Sequence, residues 1–261
     1  LFDPSHMHYE HDRPSDAGGE PDLASMTRAA IARLSRNPNG YVLLVEGGRI
    51  DHAHHEGNAY RALGETIALS DAVRAAVAAT SPDDTLIVVT ADHSHTLSFG
   101  GYPVRGNPIL GTVHGHRADG TVEQSLDGLG RPYTTLNYAN GPGYVGASDK
   151  QPEGSKHYPH IIESPRAAQD RPDLTRVDTT APSYMQETIS PLSNETHGGD
   201  DVGIWATGPG SAAVRGNLEQ NAIFHILLQA TPKLRAAACR AGGCDANGVP
   251  VSMPASLPPK S

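Results

Sequence analysis

Apolar side chains recur along the chain at two spacings, which predict helices in some segments and strands in others. Residues 21–36 carry Leu23, Ile31 and Leu34 on one helical face, and this predicted helix ends at the turn of residues 37–40. A longer helix is predicted over residues 54–79, because small or apolar residues repeat there every three or four positions. Its predicted inward positions are Ala59, Leu63, Ile67, Ser70, Val73 and Val77.

Short apolar runs predict three strands. Strands are predicted over residues 41–46 and 85–90, because residues 41–45 and 86–89 are unbroken apolar runs, which are typical of strands covered on both faces. Residues 201–207 indicate a third strand, and residues 218–229 indicate a closing amphipathic helix. Because helices and strands alternate, we predict an α/β fold in which a layered sheet is sandwiched by helices.

The stretch of residues 103–187 has a different composition from its flanks. It is rich in Gly, Pro and Tyr, and its apolar residues follow no sustained period. We therefore predict that residues 103–187 are an insertion, and that residues 1–102 and 188–261 form the core.

Charge and composition narrow the function. A net charge of -9 at pH 7 argues against nucleic acid or an anionic membrane as a partner, because Lys and Arg would have to neutralise phosphates. No stretch approaches the roughly 20 apolar residues of a membrane span, and the polar, proline-rich end at residues 251–261 predicts no anchor there. The chain starts at Leu1 without a signal-like segment, so we expect it to begin after processing or inside a longer product.

Cys239 and Cys244 are the two cysteines of the sequence. A short-loop disulfide would fit an oxidising compartment, either the periplasm or the cell exterior, whereas two free thiols or a two-thiol metal clip would fit the cytosol. We favour the disulfide, because no histidine lies in residues 238–247 to complete a metal site.

Three clusters of carboxylates and imidazoles stand at or beside the ends of predicted strands, where open α/β sheets place their ligands. The first follows Glu46 and includes Asp51 and His55, whose spacing puts them on one face if a helix has begun. The second is the Asp-His-Ser-His sequence of residues 92–95, and the third is residues 195–199. Together they predict a site for more than one divalent metal, since histidine and carboxylate ligands suit zinc.

Three segments carry a specific resemblance. VEGGRIDHAHHEG, TLIVVTADHSHTLSFGGYP and ETHGGDDVGIWATGPG, in this order and with helices between, resemble the metal-binding motifs of alkaline phosphatases. RPYTTLNYANGPGY, inside the predicted insertion, is similar to the crown region of the animal-type enzymes. The resemblance runs from Leu1 to the cysteine pair, and it implies the C-terminal part of such an enzyme with the N-terminal part of the fold absent.

The resemblance implies a role for each matching residue. Asp51, His55 and His197 would bind one zinc ion, Asp92 and His93 would bind a second, and Glu46 would contribute to a magnesium site. His95 would orient the Asp51 carboxylate, and His52 would lie near the magnesium and the phosphate through water. Two metal ions can clamp the attacking and leaving oxygens of a phosphate ester, so an acidic protein can still bind its anionic substrate.

Further residues match the family less closely. Glu20 aligns with a carboxylate that binds calcium in some animal-type members, and Tyr102 aligns with a tyrosine that reaches across a homodimer. The alternative for Tyr102 is an ordinary loop aromatic. Asn194 replaces the acidic residue common before the ETH motif. His6, His8 and His11 resemble a metal-binding tract but correspond to no family ligands, so we expect a surface loop.

The implied activity is hydrolysis of phosphate monoesters through a serine phosphoenzyme. The family's serine nucleophile has no counterpart among the matched motifs, so we expect this chain alone to be inactive. Ser94 and Thr196 neighbour the predicted ligands, but a hydroxyl beside a ligand more often makes local hydrogen bonds. The alternatives are a catalytically incomplete metal-binding fragment and a phosphodiesterase- or sulfatase-like relative.

Overall fold

A computed structural model describes residues 2–249 and 251. It mixes helices with short strands, so the predicted α/β class is confirmed. The helices are α1 (Leu23–Leu34), α2 (Arg49–His55), α3 (Ala59–Ala79), α4 (Ala222–Ala230) and α5 (Pro232–Arg240). The strands are β1 (Ile87–Thr90), β2 (Ser94–His95), β3 (Leu97–Phe99), β4 (His114–His116), β5 (Val122–Gln124), β6 (Leu136–Gly141), β7 (Lys156–His157), β8 (Tyr184–Met185), β9 (Thr188–Pro191), β10 (His197–Gly198) and β11 (Ile204–Thr207).

Contacts between residues divide the chain into two units. The first comprises Leu1–Ala76 with Asp92–Asp201, and the second comprises Val77–Ala91 with Val202–Ser261. All three predicted clusters of carboxylates and histidines fall within the first unit. The division between residues 103–187 and the rest of the chain stays a prediction.

The first predicted helix is confirmed as α1, with bounds two residues inside the predicted ones at each end. Asp22 caps its N-terminus, because the carboxylate accepts a hydrogen bond from the backbone N–H of Ser25 at 2.6 Å. Thr27 and Ile31, one turn apart, are the buried residues of this helix. A single buried strip is what the apolar spacing predicts for a helix on a protein surface.

The second predicted helix is two helices in the structure. α2 begins at Arg49, five residues before the predicted start, and it ends at His55. Gly57 separates it from α3 with a φ of 65°, a left-handed conformation that glycine adopts without steric cost. The break separates α2, which contains Asp51 and His55, from α3.

The buried face of α3 agrees with the predicted one only at Ala59, which is fully buried. Ile67 is 63% exposed and Val77 is half exposed, whereas Arg61 and Glu65 are buried. The two ionisable side chains are paired: Arg61 binds both oxygens of Asp12 at 2.9 Å, and Glu65 accepts the backbone N–H of Glu10 at 2.5 Å. Pairing offsets the cost of burial, so the apolar stripe alone did not decide which face packs inward.

The predicted strand at residues 41–46 is wrong. Exposure alternates along this segment, and Val42 and Leu44 are 70% and 86% exposed. Among the described residues, no neighbouring strand pairs with it. An extended run becomes a strand only when another backbone accepts and donates its hydrogen bonds, and sequence periodicity does not reveal whether such a partner exists.

In the first unit, the largest sheet has the order β3-β6-β9, antiparallel at β3-β6 and parallel at β6-β9. The two-residue strands β2 and β10 form a separate antiparallel pair. In the chain, β2 directly precedes β3, and β10 directly follows β9. Many fully buried side chains of this unit lie in the segment predicted as an insertion: Val113, Leu136, Tyr138, Leu174, Tyr184 and Met185. Irregular apolar spacing therefore did not mean low burial, because short strands and loops bury isolated positions.

In the second unit, β1 pairs with β11 in antiparallel register, with Val89 opposite Trp205. The two predicted strands are thus confirmed with shorter bounds. The expected cover on both faces of residues 85–90 is wrong, because β1 is only partly buried and ends in the exposed Thr90. The closing helix is confirmed as α4, and α5, begun by Pro232, was not predicted.

A disulfide joins Cys239 at the end of α5 to Cys244, which confirms the predicted pairing. None of the helices in the described part of the chain has the length and apolar character needed to cross a bilayer. The polar C-terminal end, on which the expectation of no anchor rests, lies outside the described residues except for Val251.

Candidate metal centre

Helix α2 brings the first two predicted ligands together. Asp51 lies in its first turn and His55 in its last, one helical turn apart. His55 Nε2 is 3.2 Å from Asp51 Oδ1. The conditional expectation, that these residues share a face if the helix has begun, is met because α2 starts at Arg49.

The β2–β10 pair brings the second and third clusters together. His197 lies directly opposite His95, and Gly198 lies opposite Ser94. The two strands approach so closely at Gly198 that an added Cβ would lie 2.5 Å from Ser94 Oγ and 2.8 Å from the His95 carbonyl. Glycine is therefore required at this position, and the close approach stacks the rings of His93 and His197 with centroids 3.4 Å apart.

Four imidazoles surround a single carboxylate oxygen, Asp51 Oδ1. The Nε2 atoms lie at 3.1 Å for His95, 3.2 Å for His55, 3.4 Å for His197 and 3.8 Å for His93. This oxygen is buried, yet it forms no hydrogen bond of acceptable geometry. A buried carboxylate oxygen without a partner is costly, and a cation bound at this point would satisfy it.

The outward nitrogens of three of these rings face acceptors. His55 Nδ1 lies 2.5 Å from the Glu195 carbonyl, His93 Nδ1 lies 3.2 Å from the Ser94 carbonyl, and His95 Nδ1 lies 2.7 Å from Glu195 Oε2. Each Nδ1 must therefore carry a proton, which in a neutral ring leaves the lone pair on Nε2. Lone pairs directed at a carboxylate oxygen fit a divalent metal, and we name these five residues, Asp51, His55, His93, His95 and His197, the Asp51 centre.

Glu195 belongs to the third predicted cluster, but the sequence assigned it no role. Its carboxylate is fully buried. It accepts hydrogen bonds from His95 Nδ1 and from both the backbone N–H and the hydroxyl of Thr96, at 2.6–2.7 Å. Burial raises the pKa of Glu195, but the hydrogen bonds from His95 and Thr96 outweigh it, and the net pKa is lowered. Its position in the ETH motif was the only sequence signal.

His54 was also missed, although it lies between predicted residues. Its ring stacks on His95 with centroids 4.5 Å apart, and its Nδ1 accepts a hydrogen bond from the Tyr138 hydroxyl at 2.8 Å. Burial, with a smaller contribution from His95, lowers the pKa of His54 from 6.5 to about 4. Neutral His54 therefore packs against the centre without adding positive charge.

Three predicted residues lie at the margin of the Asp51 centre. Asp92 is exposed, and its Oδ2 is 3.4 Å from His93 Nε2. Glu46 is exposed at the end of the extended segment and belongs to none of the groups with metal-binding geometry among the described residues. His52 is half-buried with Nδ1 3.3 Å from Arg49, and burial followed by the charge of Arg49 lowers the pKa of His52.

A second group lies in the N-terminal segment. Asp3, His8 and Glu20 offer ligand atoms within 4.8 Å of one another. Glu20 Oε2 already accepts the His8 backbone N–H at 2.8 Å and lies 3.2 Å from its Nδ1. His8 is exposed in a loop, as predicted, but its backbone N–H and ring also contact the buried carboxylate of Glu20.

Ser94 and Thr196 differ in their surroundings. Thr196 forms two hydrogen bonds with Asn140, one from its backbone N–H and one to its hydroxyl, both at 2.9 Å. This is the local role expected for it. Ser94 Oγ is buried with no hydrogen-bond partner, and Gly198 closes over it.

The fold and this donor set define an α/β protein with a site suited to a divalent metal. A family model described as alkaline phosphatase matches residues 1–232. The chain therefore belongs to the alkaline phosphatase family.

Individual relatives agree with this assignment. The chain is 42% identical over 230 residues to the tissue-nonspecific alkaline phosphatase of Gallus gallus, and 41% identical over 231 residues to alkaline phosphatase 4 of Drosophila melanogaster. These matches cover 88% and 87% of this chain, but only 38% and 35% of the relatives. Among solved structures, TAB5 alkaline phosphatase is similar at 22% identity with a TM-score of 0.45, covering 80% of this chain and 41% of that one.

Proposed function

We propose that the chain supplies most of the metal ligands of a phosphate monoesterase. Asp51, His55 and His197 hold one zinc ion, while Asp92 and His93 hold a second. Glu46 contributes to a magnesium site. The observation that carries the proposal is Asp51 Oδ1, a buried oxygen without a hydrogen bond that faces four imidazole nitrogens.

The donor chemistry supports zinc. Imidazole nitrogen with one carboxylate oxygen is a frequent zinc ligand set, whereas calcium and magnesium prefer oxygen alone. When bound, zinc ions supply positive charge to the phosphate and lower the pKa of water. The chain's own residues shape the site: His95 Nε2 lies 3.1 Å from Asp51 Oδ1, and its lone pair is directed at the point that the carboxylate oxygen faces.

The attacking group of the serine phosphoenzyme is not assigned to any residue of this chain. Thr196 is engaged with Asn140, and Ser94 is buried beneath Gly198, so neither is favoured as a nucleophile. The chain spans about two fifths of the curated relatives it matches. We therefore expect the isolated chain to bind metal and to hydrolyse phosphate esters poorly.

The test combines metal binding with turnover. We expect the metal-free chain to bind two equivalents of zinc by titration calorimetry and to hydrolyse p-nitrophenyl phosphate no faster than a buffer control. His197→Ala should remove one equivalent, whereas His116→Ala, which alters an exposed histidine outside the Asp51 centre, should remove none. Absence of zinc binding would refute the proposal, and rapid turnover would place the nucleophile within these residues.

Calcium is proposed for the second group. Glu20 is the predicted ligand, and Asp3 and His8 lie within reach of the same point. Its two carboxylates supply the oxygen donors that calcium prefers. This assignment rests on the family resemblance together with the burial of Glu20.

A homodimer outside the cytoplasm is the proposed setting. Tyr102, predicted to reach a second subunit, is 99% exposed within the described structure, and Phe99 nearby in sequence is also exposed. Exposed aromatic side chains are enriched at interfaces. The Cys239–Cys244 disulfide favours an oxidising compartment, either periplasmic or extracellular.

A metal-binding fragment without turnover is the alternative that the zinc experiment addresses directly. A phosphodiesterase- or sulfatase-like function has no observation in its favour, since the matched family is named for phosphatases. The phosphate monoester remains the proposed substrate class.

A further inference from the structure

Two histidine rings of the Asp51 centre, those of His55 and His95, form hydrogen bonds with Glu195. The Glu195 side chain accepts His95 Nδ1–H at 2.7 Å, and its backbone carbonyl accepts His55 Nδ1–H at 2.5 Å. The Glu195 backbone N–H in turn donates to the His55 carbonyl at 2.8 Å. Side chain and backbone therefore act on two different histidines from one position in the chain.

The carboxylate is itself held in place. Its Oε1 accepts both the backbone N–H and the hydroxyl of Thr96, at 2.6 and 2.7 Å. Oε2 is thereby directed to His95, whose opposite nitrogen lies 3.1 Å from Asp51 Oδ1. Because Glu195 is fully buried, water does not compete for either oxygen.

We propose that Glu195 is the positioning residue of the metal centre, fixing His55 and His95 with a proton on Nδ1 so that Nε2 faces Asp51 Oδ1. This inference rests on the proposed metal-binding function. A carboxylate behind a histidine sets the tautomer and the ring orientation, and loss of such a partner typically weakens metal binding about 10–100-fold.

Glu195 is not itself a ligand in this proposal. His55, His95 and Glu195 do offer atoms within 4.8 Å of one another, so a direct metal contact is the competing assignment. Both carboxylate oxygens, however, already accept hydrogen bonds from Thr96 and His95. A ligand role would require breaking these bonds in a site that water does not reach.

Glu195→Gln tests the proposal in the full 261-residue chain. The variant keeps the size of the side chain, but its amide offers only one acceptor oxygen for Thr96 and His95. We expect the Kd for Co²⁺ at the tighter site to rise at least about tenfold, with a changed visible spectrum of the bound ion. The number of bound Co²⁺ ions should stay the same.

The matched control is Glu187→Gln. Glu187 is a partly buried carboxylate of the same unit, with its side chain 13% exposed, and it binds Arg171 at 2.9 Å rather than any residue of the Asp51 centre. The control should retain the wild-type Co²⁺ affinity within about twofold. A similar loss in both variants would overturn the proposal, since it would show a general effect of removing a buried charge.

A metal-free measurement separates this inference from the proposed function. Long-range ¹H–¹⁵N spectra of the histidine rings report which nitrogen carries the proton, and we expect Nδ1–H for His55 and His95 in the wild type. Glu195→Gln should change the His95 signals more than those of His55, whose Nδ1 hydrogen-bonds to the backbone carbonyl of residue 195 and lies 3.9 Å from its carboxylate. Unchanged His95 signals would overturn the inference even if the chain binds cobalt.

The remaining outcomes are also decisive. Loss of one full equivalent of Co²⁺ from Glu195→Gln would identify Glu195 as a ligand and overturn the positioning role. If the wild type binds no Co²⁺, the proposed function fails, while the ring spectra still decide the role of Glu195. If Glu195→Gln does not fold, Glu195→Asp replaces it in the test, because aspartate retains the charge. It should shift the His95 signals and the Kd by a smaller amount. The absence of any shift would count against the proposal.

Discussion

Two groups in the first unit contain the same residue types, yet their hydrogen bonding differs. In the Asp51 centre, a buried carboxylate oxygen has no hydrogen bond and faces four ring nitrogens. In the Asp3–His8–Glu20 group, Glu20 Oε2 already accepts a backbone N–H from His8. The comparison shows that residue type does not define a metal site by itself, because the oxygen must also lack partners within the protein.

The donor atoms differ as well. Imidazole nitrogens dominate the Asp51 centre, whereas carboxylate oxygens contribute two of the three members of the Asp3–His8–Glu20 group. Nitrogen ligands favour zinc, and oxygen ligands favour calcium. The two groups are therefore expected to select different metals.

The largest expected effect is on zinc binding by the Asp51 centre. Asp51→Asn removes the charge at the point where the four imidazoles meet, and we expect zinc affinity to fall by more than about 100-fold, above the range for residues that only support ligands. Asp3→Asn, the same substitution in the other group, should change zinc affinity less than about twofold. Equal losses in calorimetric titrations of the two variants would contradict the distinction between the groups.

Acid stability should be set partly by His54, which packs behind the Asp51 centre. Its pKa is lowered from 6.5 to about 4, so the unfolded chain binds the proton more readily than the folded chain. The His54 contribution to stability is therefore intact above pH 6.5 and declines as the pH falls toward 4. We expect protonation of His54 to lower the free energy of unfolding by on the order of 2 kcal/mol between pH 7.5 and pH 4.5.

Urea unfolding of the metal-free chain at pH 7.5 and pH 4.5 measures this effect. His54→Phe retains a ring at the position but cannot titrate, so its free energy of unfolding should fall less on acidification. His8→Phe, in the more exposed histidine of the other group, is the control and should behave like the wild type. A parallel decline in His54→Phe would exclude His54 as the source.

The smallest expected effect concerns calcium. Glu20→Gln should weaken calcium binding roughly tenfold and cost about 1 kcal/mol of stability in metal-free protein, since a charged acceptor of the His8 N–H is lost. Thermal unfolding with and without CaCl₂ measures both quantities. If calcium raises the Tm of wild type and variant equally, Glu20 is not a calcium ligand.

Local features of the sequence were sufficient for several elements. The helix at Leu23–Leu34 has a capping aspartate and regular apolar spacing, which act within a few residues. The same holds for β1, β11 and α4, whose predicted positions are confirmed. The three clusters were also recognisable as motifs, because each concentrates carboxylates and histidines within a few positions of the chain.

The predictions that failed concern residues whose structure depends on partners distant in sequence. Residues 41–46 have the composition of a strand but lack a paired backbone among the described residues, and α3 buries Arg61 because Asp12 lies against it. Glu195 stands in a predicted cluster, but its role was not predicted, since that role depends on Thr96 and His95, about 100 positions earlier in the chain. Such contacts have no periodicity from which to predict them.

By itself, then, the sequence determined the α/β class, the family and the residue types available for a metal site, because these depend on local composition and spacing. Only the tertiary structure decided which of those residues share one point in space. It placed four imidazoles around Asp51 Oδ1 and left Glu46 outside the group. The physical reason is that coordination depends on distances of a few ångströms and on which atoms lack hydrogen bonds, and folding alone establishes both.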